Sequence, residues 1–125
     1  MRWFLFIAAG LHVLFMMAEL FPWSLPLLLR VACKKLPRGE SFTAAQRALV
    51  ATVVHNAGIY NGIVAGGLLY AGFHGEGAVA IARVMFAGAI AAGVFGTLTM
   101  KSPLTAVQAL IGIVGLFLIC WSVPF

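Results

Sequence analysis

The chain has 125 residues and a formal net charge of +5, with 63% hydrophobic residues, 9% charged ones and no aspartate. So apolar a composition in so short a chain excludes an ordinary soluble domain and indicates an integral membrane protein. The basic excess then reads as membrane topology, with no nucleic-acid partner implied.

A crossing takes roughly 17 to 25 mostly apolar residues for a ~30 Å hydrocarbon core. Four windows qualify, at about 3–22, 45–72, 78–100 and 103–122, and they account for nearly the whole chain. No segment alternates with period two over ~10 residues, which disfavours a transmembrane barrel. The predicted fold is all-α: a polytopic four-helix transmembrane bundle, one membrane domain over residues 1–125 with no soluble part.

The first window opens "MRWFLFIAAG". His12 and Glu19 interrupt its apolar run, and no small-x-small cleavage site follows before "FPWSLP", so it is predicted as a true span closed by Pro22. "RVACKKLPRGE" follows as a solvated linker whose cations touch anionic headgroups. Its Cys33 and the Cys120 of the fourth span fall on opposite sides of the membrane and cannot pair within one chain.

Thr43, with Gln46 three residues on, predicts a capping box at the start of the second span, and Gly72 and Gly75 mark its end. Inside it stand His55, Asn56, Tyr60 and Asn61. Gly58, Gly62 and Gly66, and on the third span Gly88, Ala92 and Gly96, have the spacing of helices whose backbones approach closely. Arg83 is placed one turn below the outer surface, where it snorkels. "KSPLT" offers Ser102 as N-cap and Pro103 as the first residue of the fourth span.

Arg30, Lys34, Lys35 and Arg38 lie between the first two spans, with Arg47 just inside the second, and Lys101 lies between the last two. Both basic connections are therefore expected in the cytoplasm and both termini outside.

Depth and facing follow from ~1.5 Å of rise and 3.6 residues per turn. His12 and Asn56 fall near the midplane, whereas Glu19, Thr97 or Thr99, and Gln108 form a lower layer. His12 and Glu19 are seven apart and share a face that Trp23 continues. Asn56 and Tyr60 are four apart and share another. These two faces are predicted to meet in one interior. An acid inside a span costs at least ~2.5 kcal/mol by insertion scales and marks a candidate site, which makes Glu19 the expected titrating group.

The stretch "HNAGIYNGIVAGGLLYAG" resembles the Asn-x-Gly-x-Tyr-Asn-Gly signature of the domain-of-unknown-function 1304 family. Leu11 with His12, the Glu19-x-x-x-Trp23 pair, "AGVFGTLT" from Ala92 to Thr99, and Gln108 fall in the same order, so the resemblance covers essentially the whole chain. It departs at His55, which precedes Asn56, and at Pro22, just before Trp23. The resemblance implies a small four-span protein of the bacterial inner (plasma) membrane with no established biochemical activity.

Two functional readings follow. In one, a polar intramembrane site binds or translocates a small solute, lined by His12, Glu19, Trp23, His55, Asn56, Tyr60, Asn61, Thr97 and Gln108, with Glu19 titrating. The charge bias makes any homo-oligomer parallel. The alternative is a membrane enzyme acting on a lipophilic substrate, similar in architecture to the eicosanoid and glutathione metabolism membrane proteins. No cofactor or metal is predicted, since no His or Cys spacing suits a structural zinc site. The lipid bilayer is the expected surrounding partner.

Reporter fusions after Lys35 and after Phe125 are expected to report opposite compartments; the same compartment for both would refute the predicted orientation.

Overall fold

The computed structural model describes residues 2–21, 37 and 40–122. Pro22, Trp23, Cys33 and the cations at 30, 34, 35 and 38 lie outside the described residues. Among those described, the protein is all-helical: α1 (Arg2–Leu20), α2 (Ala44–His74), a 3-10 turn (Gly75–Ala78), α3 (Val79–Met100) and α4 (Pro103–Ser122).

Three stretches are long and apolar enough to cross a membrane: Arg2–Leu20, Ala44–Met100 and Pro103–Trp121. The middle one, at 57 residues, contains both α2 and α3. At 1.5 Å per residue, the 19-residue α1 and 20-residue α4 are about 28 and 30 Å long, a good match to a bilayer core. The 31-residue α2 reaches about 46 Å by the same rise, so it overhangs α1 at its N-terminal end.

Local chemistry sets the helix ends. The Thr43 hydroxyl accepts from Gln46 N (3.2 Å) while Gln46 Oε1 accepts from Thr43 N (2.9 Å), satisfying two orphan amides at the start of α2. Gly72, expected to help end that helix, lies inside it. The chain leaves α2 at Gly75, whose φ of 64° suits glycine. Lys101 caps α3 in the left-handed region (φ 52°) and brings a cation to the helix's negative end. α4 begins at Pro103, where a missing N–H costs nothing.

α1 packs along α2 and α3 along α4; α2–α3 and α1–α4 contacts are slighter. α1 and α2 are antiparallel, with Arg2 Nε donating to Gly72 O (3.1 Å) and Phe6 packed edge-on against Phe73. The apolar core lies at this same end, where Leu5, Ala8 and Ala9 meet Leu68, Ala71, Ala82, Phe86 and Ile119. Trp3 and Trp121 are exposed here and Tyr70 stacks on His74, which places wide aromatic rings around one rim as membrane proteins do at an interface.

The close helix crossings take in only part of the glycine ladders, with Gly96 of the third-span ladder meeting Thr105 of α4. Gly58 and Gly62 do face α1, meeting Leu20 and Met16, but Gly66 and Gly88 face open space and Ala92 is exposed. The tightest approach is between α3 and α4. A Cβ on Gly93 would sit 2.7 Å from Thr105 O, one on Gly112 would sit 2.8 Å from Phe86 O, and one on Gly115 would enter the Phe86 ring. The reason is a second stripe, Ala82, Phe86, Ala89 and Gly93, set against Thr105, Ala109, Gly112 and Ile119. Both stripes keep the three-four spacing that carries small residues along a helix–helix seam.

Gly112→Ala is therefore expected to lower thermal stability in detergent by about 1–3 kcal/mol, because the added methyl meets backbone that cannot yield. Gly62→Ala should cost less, since Met16 Sδ, 2.8 Å from the new Cβ, sits near the end of a flexible side chain. Gly66→Ala should be neutral or stabilising by up to about 1 kcal/mol. Equal losses for all three would overturn this assignment of the crossing face.

Candidate functional site

The half of the bundle away from the apolar core holds a polar cluster centred on Asn61. The α1 face that packs on α2 runs Leu5, Ala8, His12, Met16 and Glu19, at intervals of three or four. The opposing face of α2 runs Gly58, Asn61, Ala65, Leu68 and Gly72, at the same intervals, all buried. Asn61 thereby projects between His12 and Glu19, which are two turns apart on α1.

Asn61 Nδ2 donates to Glu19 Oε2 at 2.7 Å. His12 Nδ1 lies 2.9 Å from Asn61 Oδ1, and Gln108 Nε2 from α4 makes a longer contact, 3.4 Å, with the same oxygen. A carboxylate only accepts, so the amide nitrogen turns to Glu19 and leaves its oxygen to the imidazole. An amide oxygen likewise only accepts, so the proton of neutral His12 is on Nδ1 and the lone pair on Nε2. His12 is 0% exposed, and its Nε2 has no hydrogen-bond partner among the described residues. Phe15 meets the imidazole edge-on, with ring centroids 5.8 Å apart.

Glu19 is half-buried, one residue before the end of α1. The cluster therefore extends from the wholly buried His12, near the middle of α1, to an acid close to the end of the helix. Such an arrangement fixes one carboxylate oxygen while leaving the group within reach of that end of the bundle.

Several residues proposed from the sequence fall elsewhere. Asn56 and Tyr60, expected to share the interior with His12 and Glu19, are exposed on the outside of α2, Tyr60 to 70%. They stand about 140° and 100° around the helix from Asn61, the residue that takes the inward position. His55 is also exposed and does not join His12. Thr97 donates to Gly93 O (2.7 Å) and lies 3.1 Å from Thr105 Oγ1, so it serves the α3–α4 seam rather than Glu19. Thr99 is exposed and donates to Phe95 O. Trp23 is outside the described residues. Among the described residues no three of His, Cys, Asp and Glu come together in a metal-binding group.

The family model described as "Protein of unknown function (DUF1304)" matches residues 6–120. The chain belongs to that family. The matched span takes in His12, Glu19, Asn61 and Gln108, so the entire cluster lies within the family domain. No curated protein and no solved structure matches the chain.

Asn61→Ala is expected to destabilise the protein by about 1–3 kcal/mol, because it strips partners from His12, Glu19 and Gln108 together. Asn56→Ala, on the exposed face, should stay within about 0.5 kcal/mol of the wild type. Thermal unfolding in detergent would compare the two, and a larger loss for Asn56→Ala would refute the central place of Asn61.

Proposed function

We propose that this protein is a four-span membrane protein of a bacterial inner membrane, with both termini outside, that binds a small solute at the His12–Asn61–Glu19–Gln108 cluster. Glu19 is the titrating group. Asn61 and Gln108 hold the lining in place, and His12 supplies the deepest polar atom. The observation that carries this reading is the convergence of side chains from α1, α2 and α4 on Asn61, beside an acid that remains half-exposed. A residue kept only to glue helices needs no acid, whereas an acid inside a span is costly and is usually retained for a ligand, an ion or a proton.

The exposed Asn56 and Tyr60 leave the solute-binding surface in this proposal. They are available on the outer face of α2, where a parallel second copy would meet them.

The test is ligand-dependent thermal stability in nanodiscs, read at two pH values with a panel of amines, carboxylates, alcohols and sugars. A solute that binds only the folded state at a hundred times its Kd stabilises by about 2.7 kcal/mol, which such a scan resolves. At least one class is expected to stabilise the wild type in a pH-dependent way. Glu19→Gln should keep the helical circular dichroism and lose that pH dependence. Stabilisation of Glu19→Gln equal to wild type at both pH values would refute the role of Glu19.

A further inference from the structure

On the acid and the imidazole, the two groups at the ends of the cluster, the hydrogen-bonding capacity left over is all of one kind, while the Asn61 and Gln108 amides, with two N–H groups each, have one engaged within the cluster. Asn61 Oδ1 already takes the His12 and Gln108 donors, and Asn61 Nδ2 is committed to Glu19. What remains on the acid and the imidazole is acceptor capacity: Glu19 Oε1, to which no hydrogen bond runs among the described residues, and the buried lone pair of His12 Nε2.

None of the cations of the described residues is hydrogen-bonded to Glu19 or His12. Arg2 donates to Gly72 O at the far end, and Arg83 is near the start of α3 at that same end. Arg47 donates to Phe42 O, and Lys101 is exposed in the turn between α3 and α4. Among the described residues the site thus offers a carboxylate and a second acceptor with no positive side chain hydrogen-bonded to either.

We infer that the solute is a protonated primary or secondary amine, whose ammonium N–H groups bond Glu19 and whose charge Glu19 balances; this rests on the solute-binding reading above. An ammonium with hydrogens matches unfilled acceptors. A quaternary ammonium carries the same charge without a donor, and such cations are held instead by cages of aromatic faces. Among the described residues Glu19 is flanked by Gly58 and Asn61 rather than by such a cage. Aliphatic amines remain protonated at neutral pH, as the lysine ammonium does with its pKa of about 10.4. Because Glu19 is half-buried near the end of α1, the ammonium can come from a free amine in water or from the headgroup of phosphatidylethanolamine.

The experiment uses the full chain in nanodiscs of phosphatidylcholine and phosphatidylglycerol, labelled with 13C at the glutamate carboxyls and 15N in histidine. Only Glu19, Glu40 and Glu76 contribute carboxyl signals, and Glu19→Gln assigns the first. Titration with n-butylammonium should move the Glu19 carboxyl resonance, with an affinity at least tenfold tighter than tetramethylammonium, while 1-butanol leaves it in place. Equal affinities for the two cations, the same shift with butanol, or no shift with butylammonium would each overturn the inference.

Replacing phosphatidylcholine by phosphatidylethanolamine, with no free amine, separates the sources. A Glu19 resonance already at the amine-bound position assigns the ammonium to the lipid; an unmoved resonance that still responds to butylammonium assigns it to a free amine. If amines move nothing while another solute stabilises the protein through Glu19, the ammonium inference falls and solute binding stands. If no solute of either experiment acts, both fall.

Discussion

Asn61 is a donor at one end of its amide and an acceptor at the other, and it sits between an acid and a base. Whichever end meets Glu19 determines what is left for His12. In a medium without water, polar groups gain most from partners inside the protein, so a single amide that bonds two or three of them dictates how the helices sit. His12 and Glu19 are two turns apart on α1, yet both reach Asn61. That shared partner locks α1 against α2 in one axial register, and Gln108 ties α4 to the same point.

The two halves of the bundle divide the labour. Around Arg2 and Gly72 the helices close on Ala8, Ala9, Ala82 and the ring of Phe86, with glycines at 112 and 115 admitting that ring to α4. Lipid tails are as apolar as these side chains, so closeness of packing rather than expulsion of water supplies the attraction. Toward the other end, the close α3–α4 seam continues through Gly93 and Gly96 against Thr105 and Ala109, while between α1, α2 and α4 the hydrogen-bonded cluster takes over. The bundle thus has an apolar end around Phe86 and, toward the other end, a polar cluster with a half-buried acid.

Much is legible in the chain itself. The capping box of Thr43 and Gln46, the start of α4 at Pro103 and the turn at Gly75 are local signals, set by which backbone groups lack partners and which φ angles a residue tolerates. The signature around Asn56 to Gly62 led to the family that the chain belongs to. The inward residue of that signature was less accessible. Asn56 with Tyr60 and Asn61 with Gly58 are both well-formed helical faces. The useful sign was the stripe Gly58, Asn61, Ala65, Leu68 and Gly72, which is mostly small residues with one amide in line.

The sequence by itself determined the class of protein, the capping box that starts α2, the proline that starts α4 and the pairs of residues that share a face, because composition, caps and helical periodicity are properties of the chain alone. Only the tertiary structure decided which faces turn inward: Asn61 over Asn56 and Tyr60, Gly93 and Gly112 over Gly66 and Gly88. In a soluble protein, water makes that choice by rejecting the apolar side of each helix. Here both sides of each helix are apolar, and the choice falls to close backbone approach and to the pairing of a few polar groups, which exist only once the helices have met.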